Sequence, residues 1–382
     1  MKRGIFIGIM LVAAVVVLPG VVTAAALPAL DLLDRFAALE ARVVALEAQV
    51  NALQHQLLVQ ASSPVMALNP YLTVDAAQLR VRFTGVNLQL VNGTGQTDRV
   101  NGRGNLIIGY DVARDDQTYF CADGQFTEKE RCERSGQTWA VSHKTGSHYL
   151  VIGDKNNYAQ YGGLLVGTHN TSNGPYASVS GGRGNIASGD AASVSGGVAN
   201  TASGYVASVS GGYGNTASGY VASVSGGEGN AASGRDASVS GGRGNKASGS
   251  IASVSGGFFN HASEEYASVC GGVDNTASGL GASVSGGNHN TASANGASVS
   301  GGNSNTANGA SASVSGGSKN TASGNSASVS GGGTNAATAS AASVSGGEFN
   351  TASGSNTSVS GGRQRSATGP HDWVAGGRSQ DQ

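Results

Sequence analysis

The chain has 382 residues, of which 62 are Gly and 6 Pro, with 12% charged and 5% aromatic residues and a formal net charge of -1. So glycine-rich and aromatic-poor a supply cannot furnish the core of an ordinary globular domain. The balanced charge gives no concentrated basic surface, which argues against nucleic acid or an acidic membrane face as partner.

Residues 1–26 read as an export signal: Lys2 and Arg3, an apolar run from Ile5 to Leu18, a Pro19-Gly20 break, and the small residues Ala24, Ala25 and Ala26 at the cleavage position. The alternative is an uncleaved membrane anchor, because the stretch from Ile5 to Ala26 carries no charge and about 20 such residues cross a bilayer. Either way the remainder is expected outside the cytoplasm, extracellular or on the surface of a bacterial cell. Cys121 and Cys132 suit that compartment and lie in the one charged, non-repetitive stretch, so they are expected to form a disulfide. Cys270 occupies a slot that is Ser in its sister repeats and reads as an exposed, drifted position. No metal site is expected at the cysteine pair, which has no His pair at ligand spacing.

Within 30–58 the apolar residues Leu32, Phe36, Leu39, Val43, Leu46, Val50, Leu53 and Leu57 alternate steps of four and three, the seam of a coiled coil. A single amphipathic helix packed on its own domain is the competing reading, but the chain offers no second helix to pack against. Val and Leu in that order favour two strands in isolation, whereas the repeats below argue for three. Residues 59–70 form a linker. In 71–103, Leu72-Thr73-Val74 and then Leu79 to Leu90 alternate apolar and polar residues, which predicts a short β neck.

Residues 104–176 hold three related stretches, GNLIIGYD (104–111), YLVIGDKN (149–156) and LLVGTHN (164–170), interrupted by an insertion at 110–147. Asn170 precedes Asn185 by one repeat length, so the repeats begin before they look like repeats. Over 177–377 the phase is unbroken: Val179, Val194, Val209, Val224, Val239, Val254, Val269, Val284, Val299, Val314, Val329, Val344 and Val359 recur every 15 residues, and 378–382 remain as a tail. A period this short cannot hold a helical hairpin, so each unit is one coil of a solenoid stacked on the next by backbone hydrogen bonds. A flexible Gly/Ser linker is the bland alternative, but a linker has no reason to keep Val in phase.

In Ala177-Ser178-Val179-Ser180-Gly181, strand alternation turns Ala, Val and Gly inward and both serines outward. Residues 182 to 185 make a turn, a second short strand such as Thr201-Ala202-Ser203 points Ala inward, and Gly189 or Gly204 is expected to supply a positive φ for the second turn. Asn185, Asn200, Asn215, Asn230, Asn245, Asn260, Asn275, Asn290, Asn305, Asn320, Asn335 and Asn350 stack at one corner, where their amides can bond the turn backbone and the Asn above and below. One Val and a few Ala methyls are little burial against the entropy of ordering a whole coil. Burial between chains is therefore expected, with the helix as its nucleus.

The unit ASVSGGxxNTASGxx resembles the head repeats of trimeric autotransporter adhesins, the YadA-like head, of pattern SVAIGxxSxAxG. Ser178, Val179, Gly182, Ala187 and Gly189 match it, and Ile108, Ile152 and Val166 supply its bulky residue where the main array has Gly181. The resemblance spans about 104–377 apart from the insertion and implies a left-handed parallel β-roll trimerised about a common axis. It implies surface adhesion more weakly. The chain departs from those adhesins in its order, with the coiled coil before the head, and in its ending GPHDWVAGGRSQDQ, too short and polar for a membrane β-barrel segment, so an autotransporter is not expected. The insertion resembles a short Cys-x10-Cys-x6-Trp unit of bacterial extracellular proteins, carried here by Cys121, Cys132, Gly136 and Trp139. It is expected to project from the roll as a disulfide-closed loop, either a stabilised spacer or a specific contact.

Catalytic signatures do not assemble. The stretch from Gly212 to Ala217 mimics a dinucleotide fingerprint but lacks the long strand, the helix and the acidic residue. Lys144-Thr145-Gly146 matches one fragment of the penicillin-recognising enzymes without its Ser-x-x-Lys element. The corner residue is Asn where calcium-binding rolls carry Asp, and His143 and His148 are expected at the surface rather than as ligands. No enzyme activity, cofactor or metal is expected. The function expected is that of an adhesin-like trimeric fibre, roughly 65–70 Å of coils at about 4.8 Å each. Variable corner pairs such as Tyr205-Val206, Arg235-Asp236 and Phe258-Phe259 would hold host matrix or cell-surface ligands by avidity. Two alternatives are an ice-binding solenoid, whose hydroxyl row would be broken at Lys246 and His261, and a phage-type fibre, against which the export signal argues.

Overall fold

The computed structural model describes residues 26–61, 68, 70–123, 126 and 128–376. The expected export signal, most of the linker and the tail lie outside the described residues. The chain divides into two compact units, with the boundary between Leu88 and Gln89.

In the first unit, helix α1 runs from Ala26 to Ala61 over 36 residues. Its sequence is rich in Ala, Leu, Glu and Gln, all strong helix formers, with an Asp31–Arg35 pair at i,i+4 (3.2 Å). The eight seam residues are 46–65% exposed in the single chain. Among the described residues no helix is long and apolar enough to cross a membrane. Strands β1 (Leu72–Asp75) and β2 (Arg80–Phe83) pair as an antiparallel hairpin. The expected neck stops there: Gly85 turns the backbone to φ +71°, and the alternating residues up to Leu90 form no strand because no neighbouring strand offers them hydrogen bonds.

The second unit is a parallel β-solenoid. Its valine sheet starts with β3 (Leu106–Ile108), which pairs with β6 (Leu150–Asp154), which pairs with β8 (Leu164–Thr168). It then adds one two-residue strand per coil, from Ser178–Val179 to Trp373–Val374. A 15-stranded alanine sheet runs alongside it from β7 (Asn157–Tyr158) and β9 (Thr171–Ser172) to Ser366–Ala367. Between the sheets every valine from Val179 to Val359 is at most 1% exposed, with Ala177, Ala187 and their copies beside them.

The coil length changes once, and the reason is visible in the register. Leu150 pairs with Leu164, and Leu165 with Val179, at a spacing of 14, whereas Val179 pairs with Val194 and so on at 15. The Asn170 side-chain amide donates to the Val166 carbonyl just as that of Asn185 donates to Gly181 (2.7 and 3.0 Å). Val166 is thus the counterpart of Gly181, and Ser180 is the added residue, a bulge of one per coil. The extra residue reverses the alternation after Val179. Gly181, expected inward, instead opens outward: a Cβ there would meet only the Ser195 carbonyl, at 3.8 Å, and at Gly196 or Gly211 nothing within 4 Å.

The asparagines hold the coils in register. Asn200 is typical: its backbone N–H donates to Asn185 Oδ1 (2.9 Å), and its Nδ2 donates to the carbonyls of Gly196 and Gly212 (3.0 Å each). All the ladder asparagines are at most 1% exposed. The series starts at Asn156, whose Oδ1 accepts from the Asn170 N–H, and ends where Arg365 N–H donates to Asn350 Oδ1. The expected amide-to-amide bonding is the exception, present among the described residues at Asn275 and Asn260 (3.1 Å). Side chains pair with backbone here because the turn leaves carbonyls that no strand satisfies.

Two glycine columns have different causes. Gly182 adopts φ +81°, and a Cβ on it would stand 2.0 Å from the Gly197 carbonyl oxygen. Gly189, expected to supply a positive φ, does not adopt one; its Cβ would lie 1.9 Å from the Gly204 oxygen, so close stacking is what calls for glycine. The positive φ falls two residues later, on Ala191, Val206, Val221 and their copies.

Asn230→Ala removes the acceptor of the Asn245 N–H and the donor to Gly226 and Gly242. It should destabilise its coils by about 2–4 kcal/mol, the cost of leaving buried backbone groups unpaired. Hydrogen exchange should accelerate at Asn245 and its neighbours and stay unchanged around Asn335, since each coil touches only the next.

Candidate interaction surfaces

The insertion folds back on the roll instead of projecting from it. Strands β4 (Phe120–Cys121) and β5 (Trp139–Ala140) pair antiparallel, with helix α2 (Lys129–Arg134) between them. The Cys121–Cys132 disulfide closes the unit (Cα–Cα 5.6 Å), and both cysteines are buried. Asn173 Nδ2 donates to the Cys121 carbonyl (3.1 Å) and Arg114 Nη1 to Thr171 Oγ1 (2.8 Å), tying the insertion to the alanine sheet. Lys155 Nζ holds Asp115 at 2.7 Å and keeps its carboxyl below the usual carboxylate range. These polar anchors tie Arg114, Asp115 and Cys121 to the roll.

His143, expected at the surface, is 3% exposed: its N–H donates to Asn157 Oδ1 (3.1 Å), and its Nε2 meets the Phe120 carbonyl (2.9 Å). His148 is half-buried, its Nε2 accepting from the Asn92 N–H (3.3 Å) so that its Nδ1–H donates to the Thr97 carbonyl (3.2 Å). Lys144 forms an ion pair with the Asp111 carboxylate and donates to the Asn156 carbonyl. Tyr158 donates to the same carboxylate (2.8 Å). Burial, then that hydrogen bond, pushes its hydroxyl well above the ordinary phenol value. Tyr149 is sealed beneath, donating to the Ser172 carbonyl (3.0 Å), and burial pushes its hydroxyl up to about 12. Among the described residues no group of three His, Cys, Asp or Glu is placed to hold a metal ion.

Three surfaces remain. The first is the outer face of the valine sheet at its N-terminal end, where Leu106 and Ile108 are 42% and 52% exposed and Leu150, Ile152, Leu164 and Val166 are half-buried. Onward the same columns carry Ser178, Ser180, Gly181 and their copies, with the free, exposed Cys270 in the Ser180 column and the exposed Trp373 at the end of the Ser178 column. The sequence marked Ile108, Ile152 and Val166 as bulky but gave them no direction; the four-residue spacing from Val166 to Asn170, shared by Gly181 and Asn185, was the available signal. The second is the outer face of the alanine sheet, a row of Thr and Ser interrupted at Ile186, Ala231, Lys246, His261 and Ala336.

The third surface is the pair of corners. At the second corner, Tyr205 and Tyr220 stack (4.9 Å, 12°) with the Arg235 guanidinium 5.4 Å from the Tyr220 ring. At the first, Phe258 meets Phe259 edge-on (4.3 Å), and Arg243 lies over Phe258 and beside Glu228 (3.5 Å). Val206, Val221 and Ile251 hold φ of 51°, 53° and 57° while 41–45% exposed. A β-branched residue in that region is a true outlier costing about 1–3 kcal/mol. The same φ falls on Ala191, Asp236, Ser311 and Asn356, so the turn imposes it whatever the residue, and the apolar side chains it carries outward make the corners candidate contact surfaces.

No protein-family model matches this chain, and no curated protein matches it in sequence.

Tyr149 stays neutral in the fold up to about pH 12 but ionises near 10 when unfolded. Its contribution is therefore complete below pH 10 and lost as pH rises toward 12, on the order of 2–3 kcal/mol. Tyr149→Phe should flatten part of that alkaline loss, read by hydrogen exchange at Val151 and Leu165. Separately, reducing Cys121–Cys132 should destabilise the insertion by about 2–3 kcal/mol, as expected for a short closed loop, while the coils beyond Val179 keep their protection.

Proposed function

We propose that this is a non-enzymatic, exported, adhesin-like fibre protein that works as a trimer, with the solenoid as a rigid presenting rod of the YadA-like kind. The observation that carries the reading is the separation of roles within each coil: the inward and ladder positions repeat, while residues at the two corners change from coil to coil. A scaffold that conserves its spacing and varies its corners is suited to many weak contacts summed by avidity with a host matrix or cell-surface ligand.

Self-association is supported by two apolar surfaces with no cover in the single chain. One is the heptad seam of α1 from Leu32 to Leu57, and the other is the outward face of β3, β6 and β8. Each is of the kind that a monomer in water does not leave exposed. The outward-opening Gly181 column adds to this, since its small residues permit a second chain to approach the valine sheet closely. Association through the N-terminal segment would join three copies and present three times whichever corners the association leaves uncovered.

Sedimentation velocity and chemical cross-linking of residues 27–382 test the reading. A stable trimer is expected, and a Leu46→Asp, Ile152→Asp double variant should shift it toward monomer by at least a decade in concentration, given two buried charges at about 2 kcal/mol or more each. A wild-type chain that sediments as a monomer would refute it. In solid-phase assays, deleting whole coils between 177 and 369 should lower binding to matrix or cells.

A further inference from the structure

The two corners of each coil are seven residues apart, the first at 183, 198, 213 and onward, the second at 190, 205, 220 and onward. Compared within one coil, most of their residues match. Arg183 shares its coil with Asp190, and Glu228 shares its coil with Arg235. Between these charged pairs, Val198 shares a coil with Tyr205 and Tyr213 with Tyr220. Further on, Val273 is matched by Leu280, while Arg243 meets Ser250 and Phe258 meets Glu265, beside Tyr266. All these apolar residues are 38–60% exposed.

Both corners then change character at the same place. After Leu280, Asn288 is matched by Asn295 and Ser318 by Asn325, and the one large exposed hydrophobic left on either corner, among the described residues, is Phe349. Within one roll the corners cannot satisfy each other. The first leads from the valine sheet into the alanine sheet and the second leads back, so they sit at opposite ends of the coil.

We infer that the first corner of one copy packs against the second corner of a neighbouring copy, parallel and in register, along the coils from Arg183 to Leu280. This rests on the proposed self-association and specifies its geometry. The occupant is a second copy of this chain because the complementarity lies within the chain: in five of the seven coils from Arg183 to Leu280, all but those of Arg243 and Phe258, opposite charge meets opposite charge or apolar meets apolar. A slip of one coil in one direction would set Arg243 against Arg235; in the other it would set Val273 against Asn295. The existing partners do not compete strongly. Arg243–Glu228 and Arg235–Asp236 are exposed pairs, solvated and free to exchange. A contact between unlike corners is heterologous, and copies held in register have no rise between them, so it closes into a ring of fixed size where the rotation per copy divides a full turn.

The test uses the full chain in a Cys270→Ser background. Tyr213→Cys and Tyr220→Cys are combined in one chain and treated with a short bis-maleimide. On a denaturing gel the monomer band should shift to a ladder ending at the ring size, while either single variant remains monomeric. Glu228→Cys with Arg235→Cys is a second matched pair, and Tyr213→Cys with Arg235→Cys a mismatched one that should give no ladder. A ladder from a single variant, or from the mismatched pair alone, overturns the in-register geometry. If sedimentation shows an intact trimer but neither matched pair cross-links, the corner contact falls and self-association stands. If the chain is monomeric, both fall together.

Discussion

The solenoid depends on the asparagine that closes each first turn. Its amide joins two consecutive coils, Oδ1 accepting the N–H of the next Asn while Nδ2 donates to carbonyls within its own turn and in that next coil, as Asn200 does with Asn215, Gly196 and Gly212, and its own backbone N–H ties it back to the coil before. The strands of a coil are only two residues long and offer few ladder bonds of their own. The Asn supplies the bonds that longer strands would otherwise provide. It also fixes the stacking distance, and that distance in turn demands glycine at 182 and at 189, where a side chain would strike the next backbone.

Periodicity made the architecture legible. Equal spacing of Val and Asn over so many copies left little but a coil per repeat, and the inward direction of Val179 and Ala202 followed from strand alternation. Conformation at single residues was not legible in the same way. Alternation past Val179 placed Gly181 inward, because nothing in one copy reveals that Ser180 is an added residue; the shorter early coils were needed as a reference. The positive φ was assigned to Gly189 on the ordinary preference of glycine, yet the chain puts it on Val206, Val221 and Ile251. Local propensity lost there to the geometry of stacking, which leaves Gly189 no room and the residue two positions later no choice.

The insertion misled for a different reason. Its charge suggests a solvated loop, and the charged residues from Glu128 to Arg134 are indeed exposed, but three of its charged groups bind the roll: Asp115 holds Lys155, Asp111 accepts from Tyr158, and Arg114 donates to Thr171. His143 is drawn inside by two backbone-type bonds that no sequence spacing announces. The insertion therefore covers the side of the first coils rather than extending their reach, and the candidate contact residues lie along the corners.

The direction of the ladder bonds has a mechanical outcome. They run along the stacking axis, so tension on that axis loads them one coil at a time instead of sharing the load across a strand, as shear would. A coil that gives way releases 15 residues, about 50 Å of extended chain, in place of about 4.8 Å of rod. A solenoid built this way is stiff against bending but yields stepwise when pulled, lengthening coil by coil.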